Sequence, residues 1–315
     1  MDRHDVERAV ERQESLRGAD LAGLDLRGVR LLGAEVAGAN LSGADLSEAM
    51  LYLADLSGAD LSGAVMRGAD VHRSNLERAD LRGARLRGAN LRSANLVGAD
   101  LRGARMKEAN LVRARLAGGR LEGSVLERAD LRGANLAGVD LRHARCRRSD
   151  FYGVSMPGAQ LEEASFRKAR LEQADLTGVT ASSADFTGAW MSEANLCFAV
   201  LDHTVLVEAD LQRANLTRAS LEHADLDRAD LGRARLARTR LATAFLRSAN
   251  MGGVAAFEAD LRGADLTRAR LVGAELYGVD LRGADLRDAD LHEVDLATVL
   301  EDSQTQWPWK FTPVN

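Results

Sequence analysis

Residues 76–105 read LERAD-LRGAR-LRGAN-LRSAN-LVGAD-LRGAR, six consecutive five-residue units. Each unit begins with Leu, places Ala fourth and closes on Asp, Asn or Arg. Working outward in both directions, the phase holds from Leu16 to Leu296 with no insertion or deletion. Of the 57 positions in that series, 44 are Leu, and the rest are Val, Met, Phe, Ala or Cys. Of the 56 fourth positions from Ala19 to Val294, 42 are Ala. A period of five fits neither the 3.6 of an amphipathic helix nor the 2 of a half-buried strand. It fits one side of a polygonal coil, a short extended stretch followed by a tight corner. Leu and the small Ala face inward and the other three residues face out. Gly at the third place, as in Gly83 and Gly103, suits the corner. Asp or Asn at the fifth place can hydrogen-bond nearby backbone.

The repeat explains the composition. The chain has 315 residues, 46% hydrophobic and 28% charged, with only 13 aromatic rings. That apolar content excludes a long disordered chain. The absence of an uninterrupted run of about 20 apolar residues excludes a helical membrane span. Two cysteines exclude a disulfide-stapled secreted domain. An interior of Leu and Ala columns is too narrow for many rings. The inward row changes character at Cys146, Phe151, Met156, Phe166, Ala181, Phe186 and Met191, which predicts a locally wider or bent coil.

The unit Ala-Asp/Asn-Leu-X-X resembles the pentapeptide-repeat family, over about 280 of 315 residues. The resemblance implies an all-β fold, a right-handed quadrilateral β-helix (a pentapeptide-repeat solenoid) with 20 residues and four units per coil, hence about 14 coils. Residues 16–300 form that solenoid in this reading. Residues 1–15 place Val6, Ala9 and Val10 at helical spacing, which predicts an N-terminal capping helix. Residues 301–315 abandon the repeat and carry Trp307, Trp309 and Phe311, with Pro308 and Pro313. They read as a C-terminal cap or as a homodimer contact.

The sequence shows no catalytic motif, phosphate loop or metal-ligand spacing, so no enzyme, no cofactor and no metal are expected. Cys146 is expected inside and Cys197 outside, which rules out a disulfide between them. His203 and His223, 20 apart beside Asp202 and Glu222, read as a solvated polar column, with a metal site as the lesser alternative. The N-terminus is charged from its second residue and has no apolar h-region, so a cytoplasmic location is expected.

The outward residues carry the remaining information. Net charge is −5 overall, but −6 over residues 1–80, +10 over 81–148, −3 over 149–257 and −6 over 258–315. At 20 residues per coil the basic block falls into columns: Arg82, Arg102 and Arg142; Arg85, Arg105 and Arg145; Arg87, Lys107 and Arg147, with Arg148 alongside. Stacked like charges repel unless a partner or counter-ions neutralise them, so the block reads as a patch for an acidic partner or as a solvated surface. It lacks stacking aromatics, so direct nucleic-acid binding is not favoured. Acidic columns are Asp25 with Asp45, Asp260 with Asp280 and Asp265 with Asp285. An apolar group at Trp190, Phe198, Val200, Val205 and Val207 reads as a contact surface, and Phe257 and Tyr277 as residues covered by the tail.

Two functions follow. By resemblance, the chain is a DNA-mimicking bacterial protein that binds a type II topoisomerase (DNA gyrase) and modulates it or protects it from inhibitors. The acidic columns permit that. The alternative is a general protein-interaction scaffold with an unrelated partner, supported by the basic block and the apolar group. Both place the protein partner on the outside of the coil, and a homodimer through the C-terminal end is compatible with either.

Overall fold

The computed structural model describes residues 1–309, so Phe311 and Pro313 lie outside the described residues. The chain divides into two compact units, Met1–Gln160 and Leu161–Asn315. Both are built by one rule. Each fifth residue of a pentapeptide makes a parallel β-bridge to the residue 20 positions on, from Asp20↔Asn40 to Asp140↔Gln160 in the first unit. In the second unit the same bridges run from Ser165↔Asp185 to Asp280↔Leu300. A coil is therefore 20 residues with four bridges and four corners, and each unit is a β-helix solenoid.

The backbone accounts for nearly all its own donors. In the unit 81–85, Leu81 N–H donates to the Asp100 carbonyl of the next coil (2.7 Å) and Gly83 N–H to that of Arg102 (2.9 Å). Ala84 N–H closes the corner on the Leu81 carbonyl (3.0 Å), and Arg85 N–H reaches back to Ala64 (2.9 Å). One donor remains, the N–H of the second residue. Asp80 Oδ1, two residues before, accepts it from Arg82 at 3.0 Å. The preference for Asp or Asn at the fifth place thus has a physical cause, a side chain that closes the hydrogen-bond account of the corner.

From Gly18 to Glu293 the third residue of each corner is left-handed. Gly83 has φ +65°, but Thr243 holds φ +56° and Phe198 +60° at the same place. The inter-coil hydrogen bond of that residue fixes the conformation whether or not glycine supplies it, at a cost of about 1–2 kcal/mol for a side chain. Leu81, Leu86, Leu91 and their equivalents are fully buried, as are the Ala residues beside them. Burying each Leu contributes about 1.5–3 kcal/mol. Where the Ala place holds Ser74, Ser149 or Thr204, the hydroxyl donates to the carbonyl of the residue three before. Phe166 and Phe186 stack in the second unit with centroids 5.1 Å apart, and Phe166 N–H still donates to Asp185 (2.7 Å), so large rings leave the register unchanged.

Helix α1, Arg3–Glu11, precedes the first coil. Asp2 caps it: its carboxylate accepts from Asp5 N–H, and the Asp5 carboxylate accepts from Asp2 N–H (both 2.9 Å). Val6 and Ala9 are buried while Val10 is half-buried, so the apolar stripe faces the coil. At the other end, the final bridge is Asp285↔Gln306, 21 residues apart instead of 20. The extra residue is held by Asp302, whose Oδ1 accepts from Gly283 and Gln304 N–H (both 3.0 Å) and from Thr305 N–H (3.1 Å). Among the described residues no helix is long and apolar enough to cross a membrane.

Candidate functional site

The basic block resolves into two populations. Arg82, Arg102 and Arg142 are each folded back on the aspartate two residues before, with closest contacts of 2.5, 2.5 and 2.7 Å. Their guanidinium forks are occupied, and Arg82 and Arg142 hold the Asp80 and Asp140 carboxyls below the usual range. The other columns differ. Arg85, Arg105 and Arg145 stand at fifth places where Asp or Asn is the rule, and all three are exposed. Arg145 pairs with Glu127 (2.6 Å) and Arg87 with Glu108 (3.2 Å). Arg67, Arg85, Arg105 and Lys107 have no carboxylate within 4.0 Å among the described residues.

These cations converge. A groove of about 410 Å³ is lined by Arg67, Arg85, Arg87, Arg105, Lys107 and Arg145, with Val125 among them. The bridges Val65↔Arg85, Arg85↔Arg105, Arg105↔Val125 and Val125↔Arg145 place its column on one side of the first unit. Arg147 and Arg148, exposed two coils after Lys107 and Glu108, do not line the groove. Sequence reasoning missed Arg67 and Val125. The available signal was the run Val65, Arg85, Arg105, Val125, Arg145, in which no fifth place holds Asp or Asn.

The acidic columns stack as the spacing predicts: Asp25↔Asp45, Asp260↔Asp280 and Asp265↔Asp285 are bridged pairs. Every one of the six has an arginine nitrogen within 4.0 Å. Arg27 reaches Asp25 (2.5 Å) and Asp45 (4.0 Å). Arg262 reaches Asp260 (2.6 Å) and Asp280 (3.8 Å), and Arg282 reaches Asp280 (2.6 Å). Arg247 reaches Asp265 (3.9 Å) and Arg287 reaches Asp285 (2.6 Å). Those pairings, with the backbone N–H two residues on, depress the Asp25 carboxyl to about 2 and lower Asp260, Asp280 and Asp285. The acidic ladders are therefore compensated locally, whereas the groove is compensated only at Arg87 and Arg145.

The apolar group does not form one patch. Trp190 and Val200 sit on bridges half a coil apart, so they occupy opposing sides. Phe198 and Val200 share a corner region, where Arg218 lies 5.7 Å over the Phe198 ring, and Val205 and Val207 are half-buried on a third side. Phe257 and Tyr277 stay exposed. In the tail, Trp307 Nε1 donates to Glu301 Oε2 (2.6 Å), while Trp309 is 83% exposed. Both rings edge a cavity with Arg247, Arg268 and Arg287. His203 and His223 stack with centroids 4.9 Å apart, and no cluster of metal-ligating side chains occurs among the described residues. Cys146 and Cys197 are free thiols, the first buried, which pushes its ionisation up.

Comparison with known proteins matches the repeat. The family model described as "Pentapeptide repeats (8 copies)" fits residues 15–51, 30–68, 69–108, 109–145, 144–180, 182–218, 214–253 and 258–296. No curated protein matches. Among solved structures, a trypsin-treated variant of QnrB1, a plasmid-mediated fluoroquinolone resistance protein, is 21% identical. It covers 62% of this chain and 87% of its own, with a TM-score of 0.34. HetL, a pentapeptide repeat protein involved in heterocyst differentiation regulation in the cyanobacterium Nostoc sp. strain PCC 7120, is 27% identical. It covers 95% and 94%, with a TM-score of 0.22. A pentapeptide repeat protein of the Arabidopsis thaliana thylakoid lumen is 30% identical over 35% of this chain and 70% of its own, with a TM-score of 0.22.

Proposed function

Because this chain belongs to the pentapeptide-repeat family, we propose that it is a non-enzymatic solenoid that binds a protein partner through the sides of its coils. A right-handed, four-sided path of about 14 coils is part of that reading. The observation that supports it best is the contrast in charge compensation. The six carboxylates of the acidic columns each have an arginine nitrogen within 4.0 Å, as at Asp260 and Asp280, while Arg85 and Arg105 have no carboxylate within 4.0 Å among the described residues. Uncompensated like charge on stacked coils costs stability, and a partner relieves the cost.

A second reading, a DNA mimic that engages gyrase, is supported by one observation, the register of Asp260↔Asp280 and Asp265↔Asp285 on two neighbouring sides. The compensating arginines weigh against it. One experiment separates the two. Purified protein is added to a gyrase supercoiling assay with and without a fluoroquinolone, and partners are captured in parallel with charge-reversed variants. Inhibition or protection that is lost on reversing Asp260, Asp265, Asp280 and Asp285 selects the mimic. No effect on gyrase, with capture lost on reversing Arg85 and Arg105, selects the scaffold. Capture indifferent to every surface reversal would sink both.

A further inference from the structure

The groove on the first unit lacks more than counter-charges. Where Asp or Asn fills the fifth place, its side chain accepts the N–H of the residue two on, as Asp80 does for Arg82 and Asp130 for Arg132, with Asn95 the exception. Along the groove the fifth places are Val65, Arg85, Arg105, Val125 and Arg145, none of which can accept a hydrogen bond. The N–H groups of Arg67, Arg87, Lys107, Glu127 and Arg147 accordingly have no protein acceptor among the described residues. Five successive coils thus present a row of open backbone donors, spaced by the coil repeat of about 4.8 Å. The cationic heads of Arg67, Arg85, Arg105 and Lys107 flank that row. Over these five coils missing acceptors and collected positive charge coincide, so the row is set up to receive acceptors from outside.

We propose that this groove binds an acidic segment of a partner polypeptide, whose carboxylates take the place of the missing aspartates. This rests on the reading of the chain as an interaction solenoid and names the chemistry of its partner. Carboxylates are what the same backbone positions receive elsewhere in this chain, and the arginine fork matches them in geometry. Val125 and the aliphatic stems of the lining residues give the floor an apolar character that suits the methylenes of Glu and interleaved apolar residues. No lining residue is aromatic, so the groove has nothing on which bases could stack.

The test uses the full chain and a fluorescein-labelled 12-residue Glu-rich peptide, read by polarisation at about 50 mM salt. A Gln-for-Glu peptide and a 12-nucleotide oligothymidylate serve as comparisons. The expected result is binding of the Glu peptide, at least tenfold tighter than the Gln peptide. Raising salt to about 300 mM should weaken it at least tenfold. The key variant is Arg85→Asn with Arg105→Asn. It removes the charge and restores the side-chain acceptor for Arg87 and Lys107 N–H, so it should fold at least as well as the parent while losing at least tenfold in affinity. Glu binding no better than Gln binding, or unchanged in the Asn variant, overturns the proposal. Oligothymidylate binding more tightly than the Glu peptide overturns it too, in favour of a nucleic-acid site. Any of these failures leaves capture through another face intact, and that reading is decided by the gyrase and capture experiment.

Discussion

Asp260 and Arg262 form a two-pronged pair within a single corner: Nε lies 2.8 Å from Oδ1 and Nη2 lies 2.6 Å from Oδ2. The Arg262 backbone N–H adds a third donor at 3.1 Å. One carboxylate thus closes the corner and neutralises the arginine. The same arrangement recurs at Asp80 with Arg82, Asp140 with Arg142 and Asp285 with Arg287.

These carboxylates make stability depend on acid. Asp25, Asp80, Asp140, Asp260, Asp280 and Asp285 are all lowered in the folded chain, chiefly by hydrogen bonds from the arginine two residues on. A depressed folded value means that the contribution is complete above the unfolded value near 3.8 and is lost as pH falls through the folded one, about 2 for Asp25. Melting followed by circular dichroism should hold steady from pH 7 to about 5 and fall steeply between about 4 and 2. A flat melting temperature across that lower window would refute the account.

Closing an open corner should stabilise. Arg85→Asn supplies the acceptor that Arg87 N–H lacks and removes one of two stacked like charges, Arg85 and Arg105. A gain of about 0.5–1 kcal/mol is expected in urea unfolding. A loss of stability would mean that water already serves that N–H as well as a side chain could.

Ser124 is buried at an Ala place, and its hydroxyl finds no hydrogen-bond partner, unlike Ser74 and Ser149. Ser124→Ala removes an unpaired polar group and should raise stability by about 1 kcal/mol. An unchanged or lower urea midpoint would show that the hydroxyl is satisfied in solution.

Leu101 is fully buried in a column of its own kind. Leu101→Ala should cost about 2–5 kcal/mol. Because coils bond mainly to their neighbours, amide exchange should quicken first between residues 81 and 121 and leave the second unit little changed. Uniform quickening along the chain would instead indicate one cooperative block.

The coil was legible because five-residue periodicity leaves little freedom: a buried Leu and a small Ala at fixed phase impose both the corner and the stacking of residues 20 apart. The columns of Asp260 with Asp280 and of Arg85 with Arg105 followed from the same arithmetic. The rest depended on side-chain direction, which spacing does not encode. Arg82 and Arg85 look equivalent in the sequence, yet one follows an Asp by two residues and folds onto it, while the other occupies the place of an Asp and projects. Trp190 and Val200 are close along the chain, but ten residues are half a turn, which separates them. The extra residue before Gln306 was invisible because the segment has no Leu to mark its phase.

The last described rung bears on self-association. A stack whose every layer bonds to the next by identical rungs is an open-ended template, and an exposed edge invites further layers from other molecules. The inserted residue leaves that rung intact, for Leu286 N–H still donates to the Gln306 carbonyl (2.7 Å). Two residues on stands Pro308, which has no N–H to offer a foreign strand, so the template is blunted there by a missing donor.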